Sequence, residues 1–210
     1  MKRQAIRICG RFATLVFLTA CGTSNAPRPT SAPAPSRLFL DVHHAGPGKI
    51  TAAAVAQAHA KDLAAQTAHG VSYERYWVDE GSGTIYCLVA APSAAEAAAV
   101  HREAHGLVAD EMHEVTPGIL PAAASGSLPL FMDTHQVQPG TTAAQVAEAH
   151  RKDLAAQGKH GVRFLEYWVD ETTGRVHCLA EAPDADALVA THRDAHGLLP
   201  AQVAPVAVGR

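Results

Sequence analysis

From Leu38 the chain alternates, with Leu38, Leu40 and Val42 on one side and Phe39, Asp41 and His43 on the other. A period of two predicts a half-buried strand. Pro47-Gly48 then turns the chain, and Thr51 stands where an N-cap is needed for a helix running to His69, with Gly70 as its stop. Val71 to Glu80 carries Val, Tyr and Trp at strand density, and Gly81-Ser82-Gly83 predicts a hairpin into Thr84 to Ala90. Ser93 and Glu96 have capping-box spacing at the head of a helix that stops at Gly106, and Asp110 to Val115 predicts a short last strand. The order β-α-β-β-α-β is the split unit of ferredoxin-like folds.

The whole pattern occurs twice. Residues 52–107 align without a gap on 143–198, with 33 of 56 positions identical. Upstream, Leu38 to His43 matches Leu130 to His135, with one residue's difference in the turn that follows. The fold class is therefore α+β, with two tandem ferredoxin-like domains at 37–116 and 128–207 joined by a Pro/Gly/Ser linker at 117–127. A domain of roughly 75 residues has a marginal core alone, so the copies are expected to pack sheet to sheet as a pseudo-dimer within one chain. Their alanine-rich helices favour helix strongly but bury little area, which lets them lie close to the sheet.

Residues 1–36 read differently. Lys2, Arg3, Arg7 and Arg11 precede an apolar run, Phe12 to Ala20, of signal-peptide length and too short to span a membrane. Leu18-Thr19-Ala20-Cys21-Gly22 resembles the lipobox of bacterial lipoproteins. That resemblance implies cleavage after residue 20, acylation of Cys21 (palmitate among the chains) and an extracytoplasmic protein anchored to a bacterial membrane, at the cell surface or on the periplasmic face. Residues 21–36, rich in Pro, Ala and Ser, would form a tether that cannot bury enough surface to fold.

Histidine is the conspicuous chemistry, with 13 in the chain. Five occupy matching positions in both copies: His43/His135, His59/His150, His69/His160, His101/His192 and His105/His196, which leaves His44, His113 and His177 unmatched. In the expected topology the first strand ends where the second helix ends. This brings His43 towards His101 and His105, whose spacing of four puts them on one helix face. His43, His101 and His105, with His135, His192 and His196, are the candidate metal ligands, Asp41 and Asp133 the next, and Cys87 and Cys178 the last. Imidazole with carboxylate suits Ni²⁺, and also Zn²⁺ or Cu²⁺. Ligand imidazoles must be neutral, so affinity should fall below about pH 6.5, the ordinary His value. Whether each copy holds one site or two depends on whether His43 and Asp41 face the helices or the space between the sheets.

Other readings compete. A histidine near a helix C-terminus is favoured by the dipole there, which alone would explain His69 and His105. His59 with Asp62 reads as a surface pair, Tyr76-Trp77 as core, and Asp79-Glu80 as a solvated strand end. The two cysteines alternate with apolar neighbours and read as buried thiols, with a disulfide between them the alternative outside the cytoplasm. No nucleophile motif, phosphate-binding glycine loop or Cys-x-x-Cys is present, and a net charge of −3 without a basic cluster after residue 21 argues against nucleic acid.

Taken together, LF(L/M)D-x-H, AH-x-KDL, YWVDE, CL-x-(A/E)AP and HR(E/D)AHGL resemble the bacterial family named domain of unknown function 4242, across Leu38–Val115 and Pro129 to about Val203. The resemblance implies ferredoxin-like nickel-binding proteins that pair into an α+β barrel. The chain departs from the usual member in its two copies and its lipobox. The second copy also reads Pro200-Ala-Gln-Val-Ala204 where the first has the acidic Asp110-Glu-Met-His-Glu114, so any site using Glu111 or His113 exists once at most. The favoured function is a membrane-anchored metal-binding protein that sequesters or delivers Ni²⁺. The alternatives are a small-molecule enzyme of the dimeric α/β-barrel kind, with His43 or His135 as acid/base inside the barrel, and a structural envelope lipoprotein. The reading favours a binder over an enzyme.

Overall fold

The two caps read from the sequence, Thr51 and Ser93, are the ones those helices use, though Glu96 turns to His69 and does not complete a box with Ser93. Thr51, Ser93, Thr142 and Asp184 each accept the backbone N–H three residues on, and Thr142 with Gln145 completes a reciprocal capping box. In the computed structural model, which describes residues 36–118 and 124–210, the first repeat runs β1 (Arg37–His44), α1 (Ala52–Ala65), β2 (Ser72–Asp79), β3 (Thr84–Ala91), α2 (Ala94–Ala104), β4 (Glu111–Glu114) and β5 (Thr116–Gly118). The second runs β6 (Leu130–Gln136), α3 (Ala143–Ala156), β7 (Arg163–Asp170), β8 (Arg175–Glu181), α4 (Ala185–Ala195) and β9 (Gln202–Gly209). The expected signal segment, the tether and Cys21 lie outside the described residues, as do 119–123 of the expected linker. After α1 and α3 the chain tightens into 3₁₀ turns ending at His69 and His160, where Gly70 and Gly161 take φ of 64° and 67°.

All nine strands join one antiparallel sheet in the order β4-β1-β3-β2-β9-β6-β8-β7-β5. The last strand of each repeat is shared. Val115, between β4 and β5, donates its N–H to the Leu38 carbonyl at 2.9 Å, so residues 111–118 form one line of pairing in two parts. The first part lies on β1 of its own repeat and the second on β7 of the other. β9 does the reverse, pairing with β6 and then with Tyr76–Val78 of β2. Because β4 and β5 are consecutive, the sheet nearly closes into a barrel. Pro117 and Gly118, expected in the linker, thus lie in a strand, and β9 continues to Gly209, past residue 207. Pro117 lacks a ladder donor but is tolerated because β5 has a partner on one side only.

Period-two alternation separates two core layers. Phe39, Val55, Tyr73, Val89 and Val100 pack between sheet and helices in the first repeat, with a matching cluster around Phe131, Phe164 and Leu188 in the second. Leu40, Val42, Trp77, Leu88, Met132, Trp168 and Leu179 fill the barrel. Equivalent positions of the two repeats meet there. Trp77 and Trp168 have ring centroids 5.1 Å apart, Tyr86 and His177 5.7 Å. Arg75 grips its counterpart Glu166 with both guanidinium nitrogens, at 2.5 and 2.6 Å.

Each shared strand ends on a glycine against a tyrosine ring. A Cβ at Gly118 would overlap Tyr167, and one at Gly209 would overlap the equivalent Tyr76. Gly118→Ala is therefore expected to cost about 1–3 kcal/mol, read as a lower urea midpoint. Gly126→Ala is less diagnostic of crowding, since Gly126 meets no neighbour but has φ of 69°. A Gly118→Ala midpoint equal to wild type would mean that the tyrosine swings away freely.

Candidate metal centre

Asp41 points from β1 towards the helices and is fully buried. His101, on the last turns of α2, lies between two carboxylates. Its Nε2 is 3.0 Å from Asp41 Oδ2 and its Nδ1 3.0 Å from Asp62 Oδ1, the latter supplied by α1. His43 Nε2 is 3.6 Å from Asp41 Oδ1, and its ring stands edge-on to His101 at 4.9 Å. His105 Nε2 is 3.1 Å from Asp62 Oδ1, while its Nδ1 accepts the Leu107 N–H at 3.1 Å. The second repeat repeats the arrangement. His192 sits 3.2 Å from Asp133 and 3.0 Å from Asp153, with His135 on Asp133 at 3.2 Å and His196 on Asp153 at 3.0 Å.

All eight residues proposed from the sequence are thus brought together, four per repeat. They face the helices, not the barrel, so each repeat has one continuous cluster. His43 and His135 do not line the barrel, where the enzyme alternative put them, because alternation along β1 and β6 sends Val42 and Thr134 that way instead. Asp62, expected in a surface pair with His59, is 3% exposed and belongs to the cluster, as does its counterpart Asp153, also 3% exposed and not singled out from the sequence. His59 is likewise buried, with neither ring nitrogen hydrogen-bonded, and His150 Nε2 is also without a partner. Their signal was the spacing of four and three that puts Val55, His59 and Asp62 on one face of α1.

The charges are arranged symmetrically. Burial disfavours the His101 cation, but Asp41 and Asp62 outweigh it and raise the pKa to about 9. His192 is raised to about 9 in the same way by Asp133 and Asp153. Burial opposes the Asp133 charge, yet His135 and His192 bring its pKa down to about 2. Burial pushes His59 down, towards the neutral ring. Cys87, opposite Asp41 in the β1–β3 ladder, is a buried free thiol pushed well up by burial and by the Asp41 charge. Cys178 is also free and buried, so the two form no disulfide.

Four donor triads result: Asp41/His43/Cys87, Asp62/His101/His105, Asp133/His135/His192 and Asp153/His192/His196, with ligand atoms in each within 4.8 Å of one another. Asp41 Oδ1 and Asp133 Oδ1 are buried with no hydrogen-bond partner. An orphaned carboxylate oxygen beside imidazoles is what a cation site presents before loading, and an N/O donor set fits a borderline divalent ion.

The remaining histidines do other work. His69 bridges Glu96 and Glu103 of α2 at 3.0 and 2.9 Å, and these carboxylates, Glu103 first, raise its pKa. The three unmatched histidines converge at one mouth of the barrel. His44 and His113 flank Glu111 at 2.9 and 3.0 Å, His113 reaches Asp170 of the other repeat at 2.9 Å, and its ring lies 5.7 Å from His177. Asp170, like its counterpart Asp79, is buried and accepts turn N–H groups, which corrects the solvated strand end expected for Asp79.

The profile of the family described as nickel responsive protein SCO4226-like matches residues 39–115 and again 131–206. The chain belongs to that family. The match covers both repeats of the SCO4226-like unit and leaves out the first 38 residues. Among solved structures, the chain is similar to SCO4226 of Streptomyces coelicolor A3(2), with 33% identity over 39% of this chain and 99% of that one and a TM-score of 0.37. It is also similar to a proposed monooxygenase of Fusobacterium nucleatum (12% identity, 84% of this chain, 94% of that chain, TM-score 0.42). A third is a heme-binding protein of Thermus thermophilus (13%, 84%, 90%, TM-score 0.40). No curated protein matches.

Proposed function

We propose that this chain is a two-site metal-binding protein, each repeat holding a divalent transition-metal ion in its Asp–His cluster, with Ni²⁺ ahead of Zn²⁺ and Cu²⁺, for sequestration or delivery. The observation that carries the reading is the pair of buried oxygens that make no hydrogen bond, Asp41 Oδ1 and Asp133 Oδ1, each ion-paired with an imidazole nitrogen, at 3.6 and 3.2 Å. Membership of a nickel-responsive family supports the choice of ion. When bound, the ion supplies the positive charge that the clusters' carboxylates attract. The chain's own part is to hold Asp41, Asp62 and the three imidazoles close, dry and correctly turned. The Leu107 N–H occupies His105 Nδ1, so Nε2, turned towards Asp62, is the nitrogen that would hold the ion.

Each repeat is read as a ferredoxin-like unit, supported by its β-α-β-β-α-β order and the strand order β4-β1-β3-β2. The protein is read as lipid-anchored outside the cytoplasm through Cys21, supported by Leu18-Thr19-Ala20-Cys21.

Native mass spectrometry of residues 22–210 is expected to show two Ni²⁺ ions per chain. Asp41→Asn with Asp133→Asn should weaken both sites by at least the roughly 10–100-fold that loss of a supporting group costs. A chain that binds no ion would leave the structural lipoprotein reading in its place. For the anchor, labelled palmitate should enter the wild type and not Cys21→Ser. Equal labelling of both would remove the lipid from the account.

A further inference from the structure

The two clusters differ in the turn that runs beside them, which is one residue shorter in the second repeat. Above the second lies an open cavity of about 970 Å³, with His135, His150, Asp153, His192 and His196 at its floor. An ion with six waters needs only roughly 200 Å³ at about 30 Å³ per water, whereas small-molecule sites span about 300–1,000 Å³. One side of its wall is apolar, with Val137, Val146 and Val176, the other carries Gln138, Thr141 and Gln145, and its lip has Leu198 and Leu199, 54% and 49% exposed. A bare cation has no use for such walls. At the floor, His150 Nε2 is buried without a partner. The turn after β6 is one residue shorter than its counterpart, with Thr141 where the first repeat has Lys49-Ile50. Ile50 packs against the core of the first repeat, and the second repeat has no side chain of that size to put there.

We propose that the second repeat takes its metal ion together with a small organic chelator, of the amino-acid class, that grips the ion through amine and carboxylate and lays an apolar arm along Val146, Val176 and Leu199. The inference rests on the metal-binding reading above. The first repeat takes the ion alone.

The test uses the full chain with Ni²⁺ and either L-phenylalanine or glycine, which share one chelating head and differ in the arm. Native mass spectrometry should show one phenylalanine retained per chain, together with nickel. Burying a phenyl group contributes about 1.5–3 kcal/mol, so equilibrium dialysis should show glycine retained roughly tenfold or more weakly. Val146→Trp, which fills the cavity, should abolish retention of phenylalanine and keep the nickel stoichiometry of wild type. Leu199→Asp, at an exposed position, should weaken retention in the same direction without burdening the fold. Nickel bound with no chelator retained, equal retention of phenylalanine and glycine, or undiminished retention in both variants overturns this inference and leaves the metal reading standing. Failure of wild type to bind nickel at all overturns both.

Discussion

Replacing His101 and His192 by leucine should bring the metal-free protein close to unfolding. Each imidazolium is hydrogen-bonded by two buried carboxylates, Asp41 with Asp62 and Asp133 with Asp153. Removing the cation leaves two like charges facing each other out of water, and breaking a buried ion pair from one side typically costs about 3–5 kcal/mol. Either single change should therefore lower stability by about that much, measured by urea unfolding followed through Trp77 and Trp168. The cost is electrostatic, so adding Asp62→Asn to His101→Leu should restore part of it, and lowering the pH towards 5 should shrink it as carboxylates take up protons. A loss under about 1 kcal/mol, or no rescue by Asp62→Asn, would show that these histidines merely pack.

The second large effect is on the pH dependence of nickel binding. With ordinary histidines, affinity would level off above about pH 6.5. His101 and His192 are instead raised to about 9, so at neutral pH every ion that binds through them must displace a proton. Apparent affinity should climb by about tenfold per pH unit between 6.5 and 9, with about one proton released per ion. The metal-free fold should move the opposite way. A raised histidine pKa contributes stability that is complete below 6.5 and lost as pH rises through 9, so the apo melting temperature should fall over the window in which nickel binds more tightly. Calorimetry at pH 6.5, 7.5 and 8.5 in two buffers of different ionisation enthalpy measures both affinity and protons. A flat affinity across that range would remove His101 and His192 from the ligand set.

Much of this cluster is legible in the sequence. Duplication, strand alternation and the caps at Thr51 and Ser93 placed His43 beside His101 and His105, because each depends on local chemistry. The partners on α1 and α3 left only a faint signal, the spacing of Val55, His59 and Asp62. A helix reveals its buried face through contrast between apolar and polar positions, and Ala52–Ala65 is mostly alanine, which suits either side. Val55, His59 and Asp62 are its buried residues, and only one of the three is apolar. The shared strands were hidden for another reason. Pro117-Gly118 reads as punctuation in a single repeat, and its strand role exists only because β7 of the other repeat pairs with it, Gly118 leaving room for the Tyr167 ring.

The Arg75–Glu166 grip has a consequence of its own. In an assembly of two identical subunits, any residue near the twofold axis faces a copy of itself, so an arginine there meets an arginine. Joining the halves in one chain lifts that restriction, and positions 75 and 166 have taken opposite signs. Two first halves brought together would set like charges against each other, and so would two second halves. A pairing of either half with its own copy would lose this contact, and only unlike halves keep it.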